Sequence, residues 1–277
     1  MSTIKPVAHP LVVRTARRVT STNAHALSWM TALWILSRHE YRGRYRAQAL
    51  GVIWSIFQPI VMMGLLSLVM ARLFKTSEHY PIFVLIGILT WNFFTAAVNA
   101  GTISLVTYAD LVKRTVFPRA VIPASSVMSY FINFCIESIS LLVFIPIFPS
   151  SFRASPALLL VPVLVASLVM FTIGLVLITS TLNVVFRDLA YAVQTGLTLL
   201  YWLTPFIYPL STVPQPYQTI LGLSPLARIV EGLRGVVIHG TSPGPLDLLV
   251  TCATAAATLG LGILVFRRAE GLMLDHV

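Results

Sequence analysis

Six long apolar runs separated by short basic loops leave this chain few options: it must be a helical membrane protein that crosses the bilayer several times. The runs are 52–71, 81–100, 121–148, 157–179, 190–210 and 246–266. Each reaches or exceeds the ~20 residues that a helix needs to cross ~30 Å of hydrocarbon. The cations fall on alternate loops. If the N-terminus is cytoplasmic, fourteen of the nineteen Lys and Arg residues lie inside, and only Arg72, Lys75, Arg153, Arg228 and Arg234 lie outside. The positive-inside rule then places both termini in the cytoplasm.

Charged residues make up 10% of the chain, against about a quarter in a soluble domain. The formal net charge of +10 flanks the apolar runs, where cations resist translocation and meet anionic headgroups. It therefore implies membrane lipids, not nucleic acid, as its counterpart. Cys135 and Cys252 fall inside apolar runs and are expected to pack as small hydrophobes, not to pair. Residues 1–26 are polar and basic, with no apolar core followed by a small-residue cleavage site, so no cleavable signal is expected there.

From 27 to 49 the pattern changes. Leu27, Met30, Leu33, Trp34 and Leu36 recur at helical spacing, followed by Arg38, Arg42, Arg44 and Arg46 among Tyr41 and Tyr45. This predicts an amphipathic helix in the cytoplasmic interface; a basic juxtamembrane tail is the plainer alternative. A transmembrane domain over 50–268 follows, with a cytoplasmic tail at 269–277. Between the second and third runs, 109–119 sets apolar residues in a charged frame and ends near Pro118, which reads as a surface helix able to dock into a partner's groove. Between the fifth and sixth runs, 211–240 is broken by Pro and Gly and carries Arg228, Glu231 and Arg234 at three-residue steps. These charges share one helical face. Short helices that re-enter the external leaflet, or cap the mouth there, fit that mixture.

Two runs carry polar stripes. Ser126, Ser129, Tyr130, Asn133 and Glu137 stand at offsets 0, 3, 4, 7 and 11, and Gln194, Thr198, Tyr201, Pro205 and Tyr208 at 0, 4, 7, 11 and 14. Each set falls on one helical face and is expected to look toward other helices or a wet pathway. Glu137 is the one carboxyl deep in a run. It reads either as a pathway or coupling group or as an interhelical hydrogen-bonding partner. Tyr130, Phe134, Tyr201, Trp202, Phe206 and Tyr208 invite a sugar-stacking reading, although aromatics near span ends more often anchor the interface.

Much chemistry is missing. No G-x-x-x-x-G-K-[ST] phosphate loop occurs, so ATP hydrolysis by a Walker-type site is not expected in this chain. The six histidines are scattered, with no metal-ligand spacing, and nothing resembles a G-x-S-x-G nucleophile turn.

Four motifs then meet a family. Residues 45–59 read YRAQALGVIWSIFQP and resemble the opening of the first span in polysaccharide export permeases of the ABC-2 class, the Wzm and TagG type, whose pattern is roughly R-Y-x-x-S-x-L-G-x-x-W-x-x-x-x-P. Ala47 or Gln48 stands near the family's usual serine. LVKRTVFPR at 111–119 with Pro123 resembles its loop between spans 2 and 3. TPFIYP at 204–209, Leu223–Leu226 with Ser224 where Asn is usual, and Gly232–Arg234 resemble its external segment. NVVFRDL at 183–189 resembles its R-D-L loop before span 5. The resemblance runs from about 30 to 268.

It implies an all-α fold of six transmembrane helices, an interface helix and external re-entrant helices. It also implies a homodimer with two copies of a separate nucleotide-binding subunit, which would hold ATP and Mg, so that this chain needs no cofactor. The cargo implied is a polyprenyl-pyrophosphate-linked glycan such as O-antigen, teichoic acid or a galactan, exported across the bacterial plasma membrane. On that resemblance Asp110, Leu111, Val112, Lys113, Arg114, Phe117 and Pro118, with Arg187 and Asp188, would couple to the ATPase. Arg42, Arg44, Arg46 and Trp54 would admit substrate. Gln58, Ser129, Tyr130, Asn133, Glu137, Thr198, Tyr201, Trp202 and Tyr208 would line the pathway, and Arg228, Glu231 and Arg234 the external gate. A permease for a drug or small lipid is the nearer alternative. A membrane enzyme acting on lipid-linked sugars is the remoter one.

Overall fold

The computed structural model describes residues 29–45, 51–74, 79–114 and 118–276, and its regular structure is helical throughout. In chain order α1 is Trp29–Tyr45, α2 Val52–Phe74, α3 Tyr80–Thr107 and α4 Ala109–Arg114. α5 is Val121–Glu137, α6 Ile139–Phe144, α7 Val161–Val185 and α8 Leu189–Leu203. α9 is Gln215–Gly222, α10 Pro225–Arg234 and α11 Pro245–His276. One π turn, Gly235–His239, extends α10.

Five stretches among the described residues are long and apolar enough to span a membrane: Val52–Arg72, Tyr80–Thr107, Val121–Phe144, Pro156–Val185 and Pro245–Glu270. The fifth run, 190–210, behaves differently. Its helix stops at Leu203 after 15 residues, ~22 Å of rise, short of the ~30 Å of hydrocarbon. Pro205 is the reason: the residue before a proline is pushed out of the α region, and Thr204 is extended (φ −94°, ψ 138°). The third run is also interrupted, at Ser138. There Ser138 Oγ donates to the Phe134 carbonyl (2.7 Å) and Ser140 Oγ to that of Glu137 (2.6 Å), side-chain bonds that compete with the helical ladder. In the stretch 109–119 the helix covers only Ala109–Arg114; residues 115–117 lie outside the described residues, as do 27–28 and 46–49 of the segment expected to form the interface helix.

α3 is the hub of the bundle. Ile82, Val84, Leu85, Ala97 and Leu105 on it have no exposed surface, and it packs between α5 and α7. α7 pairs most extensively with α11. Helices in lipid gain little from apolar burial and associate by close packing. Gly174 permits it here: a Cβ on that residue would stand 2.5 Å from the Thr258 backbone. At one end of the bundle Leu105, Val112, Ile122, Leu177, Val184 and Phe266 form a separate cluster that seats α4 against the ends of α3, α7 and α11. Cys252 lies 3.6 Å from Ser167 Oγ, whereas Cys135 is exposed on α5, so only one of the two is enclosed by packing.

Candidate functional site: a polar groove in the membrane domain

Two adjoining cavities, about 560 and 450 Å³, open between α2, α3, α5 and α8. Trp54 and Gln58 of α2 with Asn92, Thr95 and Asn99 of α3 line both, so they form one groove. Gln194, Thr198 and Tyr201 of α8 close the larger part. Tyr130, Asn133 and Glu137 of α5, with Arg44 and Tyr45 of α1, close the smaller. Trp91 sits at the back, its ring 5.4 Å from that of Tyr201 and 4.7 Å from that of Phe206. The sequence reading missed the α3 wall. Asn92, Thr95 and Asn99 stand at offsets 0, 3 and 7, one helical face, but the surrounding run is apolar enough to hide them.

At the smaller cavity α1 is held to α5 through Arg44 and Tyr45. The Arg44 guanidinium lies 3.5 Å over the Tyr130 ring, and its Nη2 donates to Ser129 Oγ (3.1 Å). Its Nη1 is buried without a hydrogen-bond partner among the described residues. The Tyr45 hydroxyl donates to Asn133 Oδ1, and Asn133 Nδ2 donates in turn to Glu137 Oε1 at 2.6 Å. The α5 stripe therefore faces α1 and the cavity together. Glu137 meets its hydrogen-bond donor on its own helix, not on a neighbour. Ala32 and Leu33 of α1 complete the seat against Val121 and Ala124. Burial pushes the Glu40 carboxyl above its ordinary value, with Arg44 pulling it back down. Burial likewise raises the Tyr108 hydroxyl to about 12, with Glu40 adding to the effect.

The opposite end of the bundle is organised by Arg234, which is 2% exposed. Its Nε donates to the Phe83 carbonyl (3.2 Å), Nη1 to Pro205 O (2.8 Å) and Nη2 to Phe206 O (2.6 Å). Nη1 also meets Glu231 Oε1 at 2.6 Å, and the Phe83 ring covers the guanidinium at 3.5 Å. Thus one cation satisfies two carbonyls just beyond the end of α8 and ties them to α3. Burial lowers its pKa to about 10, with Glu231 opposing the shift, so it stays charged at neutral pH. Gly87 makes room: a Cβ there would lie 2.6 Å from Phe206 O and 2.7 Å from Arg234 Nη2. Arg228 does not join this set. It turns to Asp247 (3.3 Å) and the Gly222 carbonyl (2.7 Å), so the three charges of α10 split between two partners.

Other singled-out residues fall elsewhere. Trp202 is 70% exposed and outside the groove, and the Tyr208 hydroxyl bonds the Trp202 carbonyl at 3.4 Å. Val112 is buried in the α4 cluster with Leu111 packed against it, while Asp110 and Pro118 are exposed. Lys113 and Arg114 belong to the same helix; Phe117 and Arg46 lie outside the described residues. Arg187 and Asp188 are exposed just beyond Val184, which shares the α4 cluster. Arg42 is exposed on α1.

Apolar helices of spanning length around a polar groove define an integral membrane protein. The chain belongs to the ABC-2 type transporter family, whose sequence profile matches residues 31–238. It is 29% identical over 211 residues to the O-antigen export system permease protein RfbA of Klebsiella pneumoniae, covering 75% of this chain and 80% of that protein. It is 28% identical over 242 residues to the protein of the same name from Myxococcus xanthus, covering 85% and 92%. The polysialic acid transport protein KpsM of Escherichia coli is 24% identical over 240 residues, again covering 85% and 92%.

Proposed function

We propose that this chain is the transmembrane subunit of an ATP-driven exporter that moves a polyprenyl-linked polysaccharide across the bacterial plasma membrane. The observation that carries the reading is the groove: amide, hydroxyl and aromatic side chains line it within an apolar bundle. The relatives named for O-antigen and polysialic acid transport support it. A drug or small lipid would need no wall of carboxamides drawn from three helices. A membrane enzyme would need clustered acids or histidines, and none occurs among the described residues.

In this reading both termini are cytoplasmic and α1 lies in the cytoplasmic interface. The permease works as a homodimer whose two grooves face each other. A separate nucleotide-binding subunit, two copies per exporter, supplies ATP and Mg chemistry and docks on α4. Val112 links that helix to α3, α7 and α11 through one cluster, so movement of α4 biases the whole bundle between two arrangements. Arg44 sits at the admission side with an unused Nη1, a donor for the lipid pyrophosphate. α9 and α10 cap the external mouth, with Arg234 as their anchor.

Conditional depletion of the permease in its own host tests this. The expected result is accumulation of full-length polyprenyl-linked polymer inside the cell together with its loss from the surface. Normal surface polymer with raised sensitivity to hydrophobic drugs would replace this reading with the drug-exporter one.

A further inference from the structure

The larger cavity contains no charged side chain among the described residues. Its polar wall consists of the carboxamides of Gln58, Asn92, Asn99 and Gln194 and the hydroxyls of Thr95 and Thr198. Among the described residues, the only charged groups at the groove, Arg44 and Glu137, lie in the smaller cavity at one end. Glu137 is engaged by Asn133, and Arg44 is held by Tyr130 and Ser129 with only its Nη1 left over.

From this we infer that the pathway is built for an uncharged glycan, one whose repeating unit carries no carboxylate, phosphate or sulfate. The inference rests on the exporter reading above and narrows its cargo class. Carboxamides and hydroxyls both donate and accept, as sugar hydroxyls do, so each can follow a passing chain without a fixed charge pattern. The negative faces of Trp54, Trp91 and Tyr201 suit the C–H faces of neutral pyranose or furanose rings. A polyanion would bring a charge into this space with every repeat. Moving an unpaired charge out of water is strongly unfavourable unless a countercharge waits for it, and the larger cavity supplies none. The lipid pyrophosphate is a different case: it meets the groove once per chain, and Arg44 stands where the groove begins.

The polymer that accumulates on depletion decides the matter. Its hydrolysate should contain neutral sugars only. A repeat bearing an acidic group would overturn the inference while leaving the exporter reading intact; the absence of any lipid-linked polymer would instead sink the exporter reading. Two substitutions then test the groove directly. Asn99→Asp and Asn99→Lys remove the same amide and add opposite charge, so a neutral cargo should lose surface export by similar factors with each. An advantage of about tenfold or more for the lysine variant, a difference worth ~1.4 kcal/mol, would show a negatively charged chain passing and would overturn the inference.

Discussion

Replacing Arg234 with methionine is expected to destabilise the permease by ~3–5 kcal/mol, the range found when one partner of a buried charge pair is removed. Methionine fills much of the volume but donates nothing. The carbonyls of Phe83, Pro205 and Phe206 would lose their donor together, and an orphaned buried polar group is unfavourable by ~1–3 kcal/mol. Arg234→Lys should recover little, because one ammonium cannot reproduce a planar fork that reaches three acceptors and an aromatic face. Gly87→Ala should give part of the same loss from the other side, since its methyl would press on both Phe206 O and Arg234 Nη2. The check is thermal unfolding of the detergent-solubilised protein followed by size-exclusion fluorescence. An Arg234→Met variant that melts with the wild type would show that these carbonyls find other partners, and the anchoring role would fall.

Arg44→Gln should act on α1 and leave the rest of the bundle folded. Stacking on Tyr130 and the charged bond to Ser129 together are worth roughly 2–4 kcal/mol in a partly desolvated site. Loss of that amount shifts the docking equilibrium of α1 by roughly 30- to 700-fold. Hydrogen exchange of the α1 amides should rise accordingly, with exchange in α7 and α11 unchanged, and export should fall because α1 no longer closes the smaller cavity. Unchanged α1 exchange would show that Ala32 and Leu33 suffice to hold the helix, and would reduce Arg44 to an optional contact.

Much of this arrangement can be read from residue patterns. The stripe from Ser126 to Glu137 is polar within an apolar run, and its cost in lipid announces a partner; the partner is α1. A helix within 109–119 is legible because charges frame a few apolar residues; it covers 109–114, and Val112 proves to be the buried one. Other features hide. The early stop of α8 follows from Pro205, yet hydropathy continues through Phe206 and Ile207, so the run looks longer than the helix. The three charges of α10 step evenly along the chain, but Arg228 and Arg234 part because Asp247 and the carbonyls beyond the end of α8 offer separate seats. The α3 wall of the groove was illegible for a plainer reason: three polar residues spread over two turns barely dent the hydropathy of a 28-residue helix, and only the packing of α2 and α8 shows that they face a common space.

In the proposed reading the glycan travels along this groove. A photo-crosslinking amino acid in place of Thr95, which lines both cavities, tests it in living cells. A matched probe at Leu261, exposed on the outer face of α11, serves as the control. Irradiation during active export should give a ladder of polymer-bearing permease from position 95 and none from position 261. No ladder at 95, or equal ladders at both positions, would place the pathway elsewhere.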